Sequence, residues 1–412
     1  MGQQAPTQTI LARLGSGESI QTLCSELGLT RTQFDEWWQA ESAARSAPLA
    51  GIEAGSLLQG QLEIIRDERG TPHIFVGHEA DLCFGLGGAR AKDRLWQLDY
   101  LRRKAHGRLA EILGGQALEQ DVLVRTVGIH RIAAAEVERL PTQTLALLEA
   151  FADGINALMS ATQSRLPIEF DLLDYRPEPW TPLDSVAIWA EFRWYLTGRL
   201  PVIALPELAR RALGDEALYQ AFLTAEAGDE SILPPGSYPA RPGGMEGVGE
   251  TVGDPQEGAG SNNWVAAGTR TASGMPLLAS DPHIAFGSLS CWYQAHLCGG
   301  SFDVAGAGYV GVPGVLFGCN RHVAWGVTNN ICSQRDLYQE QTDPAHPGCF
   351  LYNGSWEPTR ELTETIIVRG GETVHKRIRF SRNGPIVDEL LPPPARTTGP
   401  VALRWLGATP GD

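Results

Sequence analysis

A Gly-Ser junction at Gly260-Ser261, continued by Asn262-Asn263-Trp264, carries residue types that could perform nucleophilic chemistry. A serine hydroxyl is a weak nucleophile unless a base lies beside it. If the peptide bond before Ser261 were cut, Ser261 would gain an α-amino group with a reference pKa of about 7.7–8.0. One residue would then supply the nucleophile and the general base. Gly260 favours such a cut because it lacks a Cβ and tolerates strained backbone. On spacing alone, a loop that ends in a strand is the alternative.

The stretch before this junction has the composition of a linker. Residues 234–260 hold eight Gly and five Pro among 27 positions, with a single basic residue. A segment of this kind cannot bury enough apolar surface to offset its ordering entropy. We therefore predict a linker, a mobile loop or a removable spacer peptide at residues 233–260.

The elements that must position Ser261 are predicted to be mostly helices before the spacer and strands after it. Residues 55–76 read as a β-hairpin, and the Gly-rich run at 85–90 precedes a helix without dinucleotide-binding spacing. Apolar residues at helical spacing predict helices at 91–103, 142–159, 184–196 and 205–213. A period of two predicts strands at 263–267, 275–279, 292–297, 302–305, 322–327 and 364–369. Segregated runs of helices and strands predict an α+β fold.

Length and charge narrow the classes of function. The 412 residues predict two to three domains, and the net charge of −15 disfavours nucleic acid and anionic membranes as partners. The seven Cys show no zinc-site spacing, and no apolar run is long enough to span a bilayer. Because no signal peptide is visible at the N-terminus, we predict a cytoplasmic location.

Residues 1–50 form a separate segment whose apolar residues predict three short helices. Their spacing around Leu27-Gly28-Leu29-Thr30 is similar to a helix-turn-helix. A DNA-binding unit should be basic, whereas this segment has three Arg and five acidic residues. A small helical appendage that docks its Trp pair, Trp37 and Trp38, on the main body is therefore the favoured interpretation.

Longer motifs resemble one known family. The segments Ser261–Trp264, 268–283, 311–314, 317–320 and 325–330, together with 66–74, 93–99 and 107–111, resemble the penicillin acylase family of N-terminal nucleophile hydrolases. The resemblance covers most of residues 60–406. It implies an αββα sandwich, a precursor that cuts itself before Ser261, and a heterodimer with an α-subunit-like region at 55–232 and the start of a β-subunit at 261–412.

The resemblance also assigns roles to individual residues. It implies that Ser261 is the acyl-accepting nucleophile and that the backbone N–H of Asn329 forms half of the oxyanion hole. His283 corresponds to a residue that helps to orient the nucleophile, although a His that satisfies the turn at Asp281-Pro282 is an equal alternative. The second oxyanion donor is expected beyond residue 412, so the chain resembles about the first half of a precursor.

Further implied residues concern the acyl pocket and a metal. Ile284, Val327 and the 188–197 helix are expected to line the pocket, where Arg193 either pairs with a carboxylated acyl group or points to solvent. The chemistry itself requires no cofactor, but many relatives hold a structural calcium ion. Glu207, the carbonyl of Arg335 and Asp336 fall at ligand positions, whereas Ser333 stands where the family usually has Asp. Solvated surface acids are the alternative for Glu207 and Asp336.

Two functions follow from these patterns. The first is a self-processing amidohydrolase that acts on a small N-acyl compound, such as an N-acyl amino acid, an acyl-homoserine lactone, a lipopeptide or a β-lactam, through a Ser261 acyl-enzyme. The second is a non-catalytic acylase-like regulatory or binding protein with an N-terminal helix-turn-helix. The family resemblance adds the periplasm as a second location.

Overall fold

A computed structural model describes residues 7–45, 60–197, 203–224, 260–283, 290–329, 334–396 and 399–409 of the chain. Its helices are α1 (Thr7–Gly15), α2 (Ile20–Leu27), α3 (Arg31–Ala44), α4 (Glu79–His106), α5 (Ala110–Leu113), α6 (Leu118–Val127), α7 (Ile129–Val137), α8 (Thr142–Ala161), α9 (Ile168–Leu172), α10 (Pro182–Leu196), α11 (Leu205–Leu213) and α12 (Glu216–Thr224). All of them precede the predicted spacer, of which the structure describes only Gly260.

Most strands follow the spacer. They are β1 (Glu63–Arg66), β2 (Pro72–Phe75), β3 (Gly260–Ala266), β4 (Leu277–His283), β5 (Trp292–Gly299), β6 (Phe302–Tyr309), β7 (Phe317–Asn320), β8 (Ala324–Trp325), β9 (Arg335–Gln339), β10 (Cys349–Tyr352), β11 (Ser355–Pro358), β12 (Arg360–Ile366), β13 (Val374–Ser381), β14 (Gly384–Pro385) and β15 (Val401–Trp405). The predicted α+β class is therefore confirmed.

The central sheet joins strands from both sides of the spacer. Its six strands run in the order β1-β2-β5-β6-β7-β8, and β2 lies parallel to β5 while the other neighbours are antiparallel. The hairpin predicted at 55–76 is confirmed from residue 60 onward, since β1 and β2 pair antiparallel around a turn in which Asp67 accepts from the backbone N–H groups of Arg69 and Thr71; residues 55–59 lie outside the described residues. Strands β5 to β8 complete the sheet with residues from beyond the spacer.

A helix layer covers one face of this sheet. Helices α4 and α8 approach so closely that a Cβ on Gly87 would lie 2.2 Å from the carbonyl oxygen of Phe151, and one on Gly154 would lie 2.0 Å from that of Phe84. Backbone therefore packs on backbone, which only glycine permits. Helix α4 also has one non-helical residue at Arg94, which marks a kink.

The remaining strands form smaller sheets. β3 pairs with β4, β9 with β15, β10 with β11, and β12, β13 and β14 form a three-stranded sheet. Buried residues of α4, α8, α10, β5 and β15 belong to one apolar core, which therefore spans residues from before and after the spacer. None of the helices in the described part of the chain is both long and apolar enough to cross a bilayer.

Helices α1, α2 and α3 form a small unit at the N-terminus around Leu23 and Phe34, both buried. Helix α2 ends at Gly28 with φ of 66°, and Thr30 begins α3 with a capping box to Gln33. The unit docks on the main body through Arg45, whose guanidinium lies 2.6 Å from the Asp171 carboxylate. All three Arg side chains of this unit, Arg13, Arg31 and Arg45, are paired with carboxylates.

Candidate active site

Ser261 is the second residue of β3 and is half-buried. In the antiparallel pair with β4, Ser261 lies opposite Pro282, and Gly260 lies opposite His283. The sequence predicted this second strand to end at residue 279, but it continues to His283. Proline is tolerated in such a strand because a two-stranded hairpin has an open edge that requires no N–H donor. The Gly-Ser junction is thus held in extended backbone.

The loop after β8 lies directly against this hairpin. The backbone N–H of Val327 is 3.4 Å from Oγ of Ser280, and Thr328 donates its hydroxyl to the carbonyl oxygen of Ser261 at 3.3 Å. A Cβ on Gly326 would lie 2.5 Å from Oδ1 of Asn263, so the glycine permits this close approach. The structure therefore brings Ser261 and the predicted loop residues Val327 and Asn329 to one place.

A second contact fixes the loop from the helical side. Asn329 donates Nδ2 to the carbonyl oxygen of Leu196, the last residue of α10, at 2.7 Å. Nearby, the Arg335 guanidinium stacks 4.4 Å from the Trp194 ring and donates to the carbonyl of Thr197. Burial lowers the pKa of Arg335 to about 10. The loop around Asn329 is thus held between the hairpin and the end of α10.

His283 ends β4 and is partly exposed. Its Nε2 lies 2.9 Å from Oδ2 of Asp281 and 3.4 Å from Nδ2 of Asn262. These two polar contacts are on the hairpin itself, so His283 stands opposite Gly260 as a neighbour of the junction. Its role toward Ser261 stays a prediction.

An aromatic cluster that the sequence reasoning did not identify lies beside the C-terminal half of α10. Phe192 lies 4.2 Å from Tyr309 and 5.9 Å from Trp292, and Trp292 lies 5.0 Å from Phe317, in each case between ring centroids. Burial raises the pKa of the Tyr309 hydroxyl well above its usual value. Trp292 begins a predicted strand and Phe192 lies in a predicted helix, but only the tertiary fold brings these rings together with Tyr309 and Phe317.

Buried charges support this cluster. Lys104 of α4 lies 2.8 Å from the Glu191 carboxylate of α10, and its ammonium lies 5.9 Å from the Tyr195 ring. The fully buried Arg90 of α4 donates to the carbonyl oxygens of Tyr309, Val312 and Gly314. The turn that follows β6 is therefore fixed to α4 by one guanidinium, and burial lowers the pKa of this guanidinium to about 10.

The structure describes two of the three residues that were predicted to line the acyl pocket, and they lie in different surroundings. Val327 is half-buried beside the hairpin, and Ile284 lies outside the described residues. Arg193 lies on α10, and its guanidinium is 2.5 Å from the Glu136 carboxylate of α7. This cation is therefore already neutralised by a neighbouring helix, and any contact with an acyl group stays a prediction.

Glu207, Arg335 and Asp336 line one cavity of about 640 Å³ between α11, β9 and β15. The Glu207 carboxylate accepts hydrogen bonds from Nε of Arg210 and Arg211 at 3.0 and 2.8 Å, which hold its pKa below the usual value. Among the described residues there is no group of three or more His, Cys, Asp or Glu placed to hold a metal ion. The Glu207 carboxylate is thus neutralised by two guanidinium groups, and a calcium site at Glu207, Arg335 and Asp336 stays a prediction.

Comparison with known proteins gives the class of this chain. Residues 61–412 match the family described as penicillin amidase. The chain therefore belongs to the penicillin amidase family, as its motifs predicted.

Individual relatives are acylases. The chain is 32% identical over 410 residues to an acyl-homoserine lactone acylase, QuiP, of Pseudomonas aeruginosa, covering 96% of this chain and 47% of that protein. It is 35% identical over 362 residues to the penicillin acylase 2 proenzyme of Pseudomonas sp. strain SE83, covering 82% and 45%. The chain thus spans about half the length of these curated relatives. A solved thermostable penicillin G acylase from Alcaligenes faecalis is 29% identical, with a TM-score of 0.35, and the match covers 45% of this chain and 100% of that one.

Proposed function

We propose that this chain belongs to a self-processing acylase that hydrolyses the amide bond of an N-acyl compound through Ser261. The proposal rests on the family and on one observation: the Gly260–Ser261 junction is held in a strand directly beside the loop that carries Asn329. This contact supports the proposal because acyl transfer requires a backbone donor near the nucleophile, and the segment that carries Asn329 touches the strand that carries Ser261.

Processing would begin with attack of the Ser261 hydroxyl on the carbonyl carbon of Gly260. The C–N bond breaks, the nitrogen keeps its own proton and gains the proton of the Ser261 hydroxyl to become the new α-amine, and an ester joins Gly260 to Ser261 Oγ. Water then hydrolyses the ester, which leaves a carboxylate on Gly260 and a free serine with its own amine. Thr328 supports this geometry because its hydroxyl holds the carbonyl of Ser261.

Turnover would reuse the same atoms. The α-amine takes the hydroxyl proton as Ser261 Oγ attacks the substrate carbonyl, and the backbone N–H of Asn329 donates to the oxyanion that forms. The leaving amine departs with the proton, and water releases the carboxylic acid from the acyl-enzyme. Two chains from one precursor, held by the shared sheet, would form the active heterodimer.

For the substrate we propose an apolar acyl group. The half-buried side chains of Trp292, Phe317 and Val327 supply apolar surface near the end of α10, and the buried Phe192 packs behind Trp292. Pairing of Arg193 with Glu136 removes the cation that a carboxylated acyl group would need. Acyl-homoserine lactones, penicillins, lipopeptides and N-acyl amino acids all contain the required amide.

Intact-mass measurement with N-terminal sequencing tests the proposal on protein expressed from the full reading frame. A new chain that begins Ser261-Asn262-Asn263-Trp264 is expected, and it should be absent from Ser261→Ala but present in the control Ser273→Ala. Uncut, folded wild-type protein would reject the acylase proposal. DNA binding by the wild type in fluorescence anisotropy would instead favour the regulatory alternative, although the paired Arg residues of α1 to α3 argue against it.

A further inference from the structure

Two histidines face each other on the central sheet, outside the candidate active site. His73 of β2 and His296 of β5 are register partners, and their Nδ1 atoms are 3.1 Å apart. Each ring has a carboxylate near its other nitrogen. Nε2 of His296 lies 3.1 Å from Oδ1 of Asp303, and Nε2 of His73 lies 3.8 Å from Oδ2 of Asp67.

The two carboxylates determine where the ring protons reside. An ionised carboxylate only accepts hydrogen bonds, so Asp303 requires a proton on Nε2 of His296. In a neutral ring this leaves Nδ1 as a bare lone pair. The charge of Asp67, 3.8 Å from Nε2 of His73 and beyond hydrogen-bond distance, favours the same tautomer of His73, which would place two lone pairs face to face at 3.1 Å. Such an arrangement is repulsive unless a proton on one of the two Nδ1 atoms or a metal ion lies between the rings.

The spacing suits a transition metal. With Zn–N bonds of about 2.0–2.1 Å, nitrogens 3.1 Å apart subtend roughly 100° at the ion, close to a tetrahedral angle. A carboxylate behind each imidazole is the usual outer environment of metal-bound histidine, where it fixes the tautomer. Asp303 is itself held by Arg321, and the Phe75 ring packs edge-on at 5.6 Å from His296.

A metal ion and water can also reach the two histidines. The side chains of His73 and His296 keep 34% and 23% of their accessible surface, which leaves room for water to complete the coordination of an ion. We propose that His73 and His296 bind one divalent metal ion that prefers imidazole ligands, Zn²⁺ or Cu²⁺, through their two Nδ1 atoms. The site lies apart from Ser261 and does not depend on the proposed hydrolysis.

Titration calorimetry with Zn²⁺ and electron paramagnetic resonance with Cu²⁺ test this site on the untagged 412-residue chain. One equivalent of metal should bind, and the Cu²⁺ spectrum should show hyperfine coupling to two imidazole nitrogens. His73→Gln and His296→Gln should each weaken binding at least tenfold. The control His375→Gln, at an exposed histidine on β13, should bind as the wild type does.

The spectrum of the wild type keeps the test decisive even if a variant fails to fold. Coupling to fewer than two nitrogens, or no binding at micromolar metal, would overturn the proposal and leave a hydrogen bond between the two Nδ1 atoms. Unchanged binding in both folded variants would overturn it as well.

Discussion

The side-chain amide of Asn329 donates to the carbonyl oxygen of Leu196 at 2.7 Å, so a residue from beyond the spacer is fixed to the final residue of a helix from before it. The hydroxyl of the preceding residue, Thr328, also donates to the carbonyl oxygen of Ser261. The loop is therefore held at two adjacent residues and has little freedom to move. The side chain of Asn329 therefore restricts the position of its own backbone N–H, the proposed oxyanion donor.

Replacing this side chain should impair catalysis more than binding. We expect Asn329→Leu in the processed enzyme to lower kcat roughly 10- to 100-fold, because a misplaced oxyanion donor loses much of its effect. KM should change less than threefold. Steady-state kinetics on an alkyl amide measure both constants, with the exposed Gln294→Ala on β5 as control. An unchanged kcat would show that the Leu196 contact does not position the donor.

The preference for one acyl group over another should change more when Glu136 is replaced than when Arg193 is replaced. Because the two side chains are paired, we expect the wild type to prefer a hexanoyl amide to a succinyl amide, and Arg193→Ala to keep that preference. Glu136→Gln should free the guanidinium and raise the succinyl-to-hexanoyl ratio of kcat/KM about tenfold. A wild type that prefers succinyl and loses this preference in Arg193→Ala would instead place Arg193 on the acyl group.

Arg90 should be a major source of stability. Its guanidinium satisfies three carbonyl oxygens in the turn after β6, so Arg90→Met leaves buried acceptors without donors. We expect the free energy of unfolding to fall by about 2–4 kcal/mol, measured by urea denaturation. Arg69→Met, at an exposed turn position, serves as control and should change it by less than about 0.5 kcal/mol. Equal effects of the two variants would contradict this role.

Stability should fall in mild acid because of His130. Burial is the main cause that lowers the pKa of this ring from 6.5 to about 4, although Glu364 lies 3.1 Å from its Nε2. The unfolded chain then binds more protons between these values, so stability is complete above pH 6.5 and is lost as the pH falls toward 4. The loss is at most on the order of 3 kcal/mol.

Chemical denaturation at several pH values measures this loss. His130→Gln should flatten the pH dependence in that range, whereas His375→Gln, at an exposed site, should leave it as in the wild type. If His130→Gln retains the full dependence, other groups cause it.

Much of the fold was predictable because the apolar periodicity was strong. The helix at 205–213 has the predicted bounds, and those at 142–159 and 184–196 differ by two residues at one end. The first half of α4 was missed because Gly85, Gly87 and Gly88 are poor helix formers. They are helical because α8 needs a smooth surface to pack on, which is a tertiary requirement that local sequence does not show.

The candidate site was likewise predictable only in part. The motifs singled out Ser261 and Asn329, since these residues lie in short segments with a recognisable order, and their catalytic roles stay predictions. Contacts between distant segments were beyond that reasoning, including the pairing of Arg193 with Glu136 and the packing of Phe192 on Tyr309. Each depends on the angle at which two elements cross, and a single sequence does not encode that angle in any local pattern.

The parallel pairing of β2 with β5 has a consequence for a protein cut at residue 260. Residues before the cut supply two strands and residues after it supply four strands of the same sheet, around one shared core. The two polypeptides would then melt together in a single cooperative transition. Neither fragment could leave without exposing an unpaired sheet edge, so cleavage would change the covalent connectivity and leave the folding unit whole.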